Sequence, residues 1–221
     1  MKTTKTIYQF IVDKSTSMQG SEEQVITGFN MQLDKLKELS KQYPDQSYIA
    51  SVTYFDCEVQ NEISFGAIEE VHPLTMANYQ PDGMTALLDA IGEAIDNTQE
   101  KYYNELKAKE ANVVFIILTD GEENYSTYYT YNLVSSKIKT LEETGDWTFT
   151  FIGADFDATE VSHQLNVKPE NVISFSKIDF EKRMEFVSCS MEEYETSRIK
   201  GNKRANFFSK IIDRVEEKYV N

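Results

Sequence analysis

Apolar residues along the chain switch between two periods, and the switches mark out an order of elements. Residues 6–12 form a nearly unbroken apolar run that reads as a buried strand. Val25, Phe29, Leu33 and Leu36 then recur at helical spacing and predict a helix over 21–42. Ser21 and Gln24 have the spacing of a capping box at its start, and Pro44 lies just past its end. Residues 47–55 read as a second strand, and 58–65 alternate polar and apolar as an edge strand does. The link through Asp56-Cys57 is too short for a crossover, so these two form an antiparallel hairpin. Residues 66–84, with His72-Pro73 and Pro81-Asp82-Gly83, read as loop.

The second half repeats the theme. Leu87, Leu88, Ile91, Ala94 and Ile95 make a helical face, and 112–118 is the strongest apolar run, as expected of a central parallel strand. A helix over 133–141, a strand over 147–152, a helix start at Asp157–Glu160 and a short strand over 172–175 follow. Phe180, Met184, Val187, Met191 and Tyr194 give one more helical face, and Phe208, Ile211, Ile212, Val215 and Tyr219 another. Lys200 to Arg204 between them reads as a solvated turn. Strands alternating with helices predict an α/β, Rossmann-like, doubly wound and mostly parallel six-stranded sheet. It has one antiparallel edge strand, helices on both faces and C-terminal helices in addition. Residues 1–176 are the expected core, and 177–221 a helical segment packed on it or extending it.

Composition narrows the function. A net charge of −15 over 221 residues argues against nucleic acid or an anionic membrane surface as a partner, since both need a basic footprint. The two cysteines, Cys57 and Cys189, match no metal-ligand spacing and read as two free thiols in preference to a single disulfide, Cys57 as a small buried hydrophobe. The first apolar run is too short for a signal peptide and no segment reaches the length of a membrane span, so a cytoplasmic protein is expected. His72 and His163 have no Cys or His neighbours that would make a zinc site.

The candidate chemistry lies where strands end. Asp13, Ser15 and Ser17 alternate directly after the first apolar run. Thr85 sits where the Gly83-Met84-Thr85-Ala86-Leu87 loop enters a helix, and Asp120 follows the central strand in Thr119-Asp120-Gly121. Ligands bind at the carboxyl ends of strands in open α/β sheets. Two carboxylates and three hydroxyls are an oxygen set suited to a hard cation, Mg²⁺ first, with Mn²⁺ or Ca²⁺ also compatible. Singly, each piece also reads as turn or cap chemistry, with Thr85 merely capping its helix. Their occurrence in this order favours the metal.

These motifs resemble those of the von Willebrand factor A domain with its metal-ion-dependent adhesion site, over about residues 6–176. The segments Asp13–Met18, Thr119–Asn124 and Trp147–Ala154 are most similar to intracellular bacterial and phage members. The resemblance implies that Ser15, Ser17 and Thr85 give hydroxyls to the metal and that Asp13 and Asp120 act directly or through water. It implies a non-enzymatic interaction module whose partner protein completes the metal shell with a Glu or Asp. It also implies coupling of ligation to sliding of the last helix, here about 179–199, where plain packing is the simpler reading.

Two other readings compete. A phosphohydrolase of the haloacid-dehalogenase type needs a second Asp two residues after the first, and Ser15 stands there instead. A scaffold with a purely structural metal would make Asp13 matter to stability rather than to a partner. The Tyr125–Tyr131 stretch, with four tyrosines, reads equally as a partner surface or as a tightly packed loop.

Overall fold

The computed structural model describes residues 5–119, 123–154, 158–175, 180–202 and 206–208. All six expected strands are present: β1 (Lys5–Asp13), β2 (Ser47–Phe55), β3 (Val59–Ala67), β4 (Ala111–Thr119), β5 (Trp147–Ala154) and β6 (Val172–Phe175). They form one sheet in the order β3-β2-β1-β4-β5-β6. Every pairing is parallel except that of β2 with β3. The chain winds outward from β1 in one direction and from β4 in the other. The gap between their carboxyl ends is therefore the topological switch point.

The central strands β1 and β4 are buried on both faces because helices cover both. Tyr8, Phe10 and Val12 of β1 and Val114, Ile116 and Leu118 of β4 face α1 (Glu22–Gln42) and α6 (Phe180–Ile199). Ile7, Ile11, Val113, Phe115 and Ile117 face α2 (Leu87–Lys101), α4 (Tyr131–Glu143) and α5 (Ala158–Gln164). The period-two alternation thus assigns each strand residue to one of two cores. A short α3 (Tyr103–Lys107) and a 3-10 turn over Ile68–Glu70 were not legible as apolar periodicity. β3 is an irregular margin: its pairing with β2 slips at Ala50/Val52 and Val52/Thr53, and Phe65 has φ 59.

Three local readings need correction. Ser21 precedes α1, but its side chain makes no capping bond, because its φ −115, ψ 10 is not the extended conformation a capping serine needs. Glu22 instead accepts the Gly20 amide at 2.8 Å. Cys57 is half-buried rather than buried, and its Sγ accepts the Met84 amide at 3.2 Å. Thr85 does not cap α2 either; Ala86 occupies that position. The second C-terminal helix expected over 208–219 falls almost wholly outside the described residues. No helix among the described residues is long and apolar enough to cross a membrane.

Candidate metal centre

β1 ends at the switch point, and its last residue, Asp13, is fully buried. One carboxylate oxygen accepts the Ser15 amide at 2.8 Å, and the other accepts the Thr119 hydroxyl from the end of β4. The Asp13 carbonyl accepts the Tyr79 hydroxyl at 2.6 Å. The carboxylate is thus oriented by one bond along its own loop and one across the switch point. Ser15 is buried and Ser17 exposed, and their hydroxyls share a hydrogen bond with the Oγ atoms 3.0 Å apart. Adjacent oxygens around a six-coordinate Mg²⁺ at about 2.1 Å also sit about 3 Å apart, so this pair fits two neighbouring positions of such a shell. Met18, buried beneath the loop, anchors the 3-10 turn over Thr16–Met18 that sets the pair.

The loop before α2 is stitched to the first loop. Asp82 N donates to Lys14 O at 2.8 Å, and Thr16 N to Gly83 O at 3.1 Å. Lys14 N and Ala86 N reach the last residue of β2 and the one after it, at Phe55 O (2.8 Å) and Asp56 O (2.9 Å). Gly83 has φ 82, and a Cβ there would lie 3.0 Å from Cys57 Sγ, so both its conformation and its surroundings favour glycine. Thr85 is buried and held by its backbone: its amide donates to Asn124 Oδ1 at 2.9 Å, and its carbonyl accepts the amides of Asn124 and Tyr125 at 3.1 and 3.2 Å. The structure therefore brings together the loops of Asp13, Ser15, Ser17 and Thr85. Asp120 lies outside the described residues.

The loop behind Thr85 is fixed by two carboxylates that periodicity alone does not single out. Asp89, in the first turn of α2, accepts the amides of Thr127, Tyr128 and Tyr129 at 2.9, 3.0 and 2.8 Å. Glu123 accepts the amides of Leu88, Tyr125 and Ser126 at 2.8, 2.9 and 2.7 Å. Tyr129 packs so closely on α2 that a Cβ at Gly92 would fall 2.2 Å from its ring. Its hydroxyl donates to Asp96 at 2.7 Å, and burial together with that carboxylate pushes it up to about 12. The tyrosine stretch is thus split: Tyr129 and Tyr131 are half-buried, while Tyr125 and Tyr128 are exposed. Among the described residues no three His, Cys, Asp or Glu side chains come together as a metal-holding group.

Residues 9–188 match the model of the von Willebrand factor type A domain. No curated protein matches the chain in sequence. Among solved structures, the vWF domain of the type V pili tip protein Mfa5 from Porphyromonas gingivalis is similar at TM-score 0.59 and 10% identity, over 87% of this chain and 96% of that one. Manganese-loaded TRAP protein from Plasmodium vivax aligns at TM-score 0.54 and 13% identity, over 83% of this chain and 71% of that one. Proximal thread matrix protein 1 from the mussel byssus, with a zinc-occupied MIDAS motif, aligns at TM-score 0.52 and 18% identity, over 84% of this chain and 45% of that one. The chain therefore spans under half the length of the mussel protein.

Proposed function

The chain belongs to the von Willebrand factor type A domain family, whose domains are protein-interaction modules, and from that premise we propose that it is a Mg²⁺-dependent module that binds an acidic side chain of a partner protein. Asp13, Ser15, Ser17, Thr85 and Asp120 would hold the cation. The observation that carries the reading is the Ser15–Ser17 oxygen pair at 3.0 Å beside the buried Asp13 carboxylate. When bound, the cation supplies a Lewis-acidic position that a Glu or Asp from outside completes. With three neutral hydroxyls and two aspartates in the set, that position keeps its affinity for a further carboxylate. The backbone clamps on Asp13 and Thr85 hold these side chains in place before any ligand arrives, which lowers the ordering cost of binding.

A phosphohydrolase would need a carboxylic acid where Ser15 stands, and the hydroxyl there cannot replace it as a proton donor. Cys57 and Cys189 lie far apart in the sequence and match no disulfide framework, so a reducing, cytoplasmic setting is part of the same proposal. The test is affinity capture with the native chain in Mg²⁺, in EDTA, and with Asp120→Ala. A partner lost in both controls, and lost again when one of its own surface carboxylates is replaced, supports the proposal. A partner retained in both controls overturns it.

A further inference from the structure

The frame around the metal centre carries side chains that the five-residue set does not use. Met84 precedes Thr85, the Tyr125 amide bonds the Thr85 carbonyl, and Tyr128 lies three residues beyond Tyr125; the three side chains are 45%, 47% and 84% exposed. Large apolar side chains left in water at one end of a domain mark a contact surface rather than core. All three project from fixed backbone. The Met84 amide is bonded to Cys57 Sγ, the Tyr125 amide to Glu123 and to Thr85 O, and the Tyr128 amide to Asp89. Asp89 is itself buried, and all three amides it accepts belong to this loop. Rigidly presented aromatic side chains lose little conformational entropy on contact and dominate recognition surfaces.

The same end is also acidic. Glu23 lies in the first turn of α1, Asp56 and Glu58 form the β2–β3 turn, and Asp82 is bonded through its amide to Lys14 O. Glu23, Glu58 and Asp82 are exposed. Together with the net charge of −15, this repels a partner that is acidic throughout. A carboxylate whose own neighbours offset that field is favoured over one in an acidic setting.

We propose that the ligand of this surface is a single Glu or Asp flanked by aromatic or aliphatic side chains, which pack on Met84, Tyr125 and Tyr128, and by Lys or Arg, which face Glu23, Glu58 and Asp82. The partner is thus a protein of basic surface carrying an isolated carboxylate beside an apolar patch. This rests on the metal reading above, because the cation is what captures the carboxylate.

The test selects a displayed random-peptide library on the full chain in Mg²⁺ and elutes with EDTA. Eluted sequences with one carboxylate, an apolar flank and a basic flank are the expected result. Carboxylates enriched with no flanking preference overturn this inference and leave the metal reading standing. No enrichment of carboxylates in the EDTA eluate overturns both. The enriched peptide is then measured against Met84→Ser/Tyr125→Ser/Tyr128→Ser, whose changes are confined to exposed side chains. Binding about tenfold weaker with unchanged Mg²⁺ affinity is expected, and equal binding overturns the apolar half of the proposal.

Discussion

Tyr8 of β1 donates its phenolic hydrogen to Glu195 of α6 at 2.5 Å, with both side chains sealed in the core. Tyr48 reaches the other carboxylate oxygen at 3.3 Å, and the neighbouring Tyr194 pairs with the Thr148 hydroxyl at 2.8 Å. One turn on, Arg198 bonds Gly145 O at 2.7 Å, also reaches Asn112, and lies 4.0 Å from Asp146. The last turns of α6 are therefore moored to the strand starts, at the end of the sheet opposite the metal centre. Burial pushes the Glu195 carboxyl up to about 7, although Tyr8, Arg198 and Tyr48 all pull it down.

That carboxyl makes stability depend on pH near neutrality. A folded-state value above the unfolded one means that the native chain binds the extra proton. Its contribution is then complete below pH about 4.5 and is lost as pH rises through about 7. The loss is on the order of 3 kcal/mol. Glu142, also raised by burial, acts in the same direction. Denaturant unfolding from pH 5 to 8 should show stability falling with pH, and Glu195→Gln should remove most of the slope. A slope unchanged in that variant would refute the assignment.

Tyr8→Phe tests the same contact without changing charge. It leaves one oxygen of a buried carboxylate without its short bond, at a cost of about 1–3 kcal/mol. The transition midpoint in urea should move down at pH 8, where the carboxylate is charged, by more than at pH 5.

Asp89→Ala removes the acceptor of three loop amides. The strands do not depend on it, so the fold should persist while Thr85 loses the rigidity of the loop that clamps it. Calorimetric titration with Mg²⁺ is expected to show affinity reduced about tenfold or more, as for outer-shell supports of metal sites generally. Full Mg²⁺ affinity in a folded Asp89→Ala chain would count against a positioning role.

Gly92→Ala places a methyl group within the Tyr129 ring, 2.2 Å from its nearest atom. Neither partner can yield cheaply, because Gly92 lies within α2 and Tyr129 is tied to Asp89 and Asp96. A loss of about 1–3 kcal/mol is expected by thermal unfolding, with enhanced hydrogen exchange over residues 123–131.

Removal of the cation should lower stability by linkage alone. At one hundred times its dissociation constant, Mg²⁺ would add about 2.7 kcal/mol, so EDTA should lower the melting temperature of the native chain. Asp13→Asn should melt at the same temperature with and without Mg²⁺.

The sheet and its order are legible in sequence because their causes are local. β1 and β4 are apolar on both faces, as central strands must be, and the β2–β3 link has too few residues for a crossover. The Asp13-Ser15-Ser17 loop is legible for the same reason. Its supports are not. Thr119 lies 106 residues from Asp13 and Tyr79 lies 66, and no spacing rule joins them. Asp89 resembles any acidic residue in a first helical turn until the loop it holds folds back over it. Ser21 misleads because the turn at Gly20, φ 85, takes it out of the conformation that would let it cap. Glu195 reads as a polar break in an apolar helix face, and only the two tyrosines from β1 and β2 explain why it is buried.

The slipped pairing of β3 also governs how copies of this chain meet each other. A sheet margin recruits a foreign strand when it offers straight, evenly spaced backbone donors and acceptors. Here the outer strand is bent at Phe65, shifts twice against its neighbour, and exposes Gln60, Asn61 and Glu62. The opposite margin, β6, is four residues long. Neither edge is a good template for open-ended stacking, so crowding the molecules together gives them little route into fibrils.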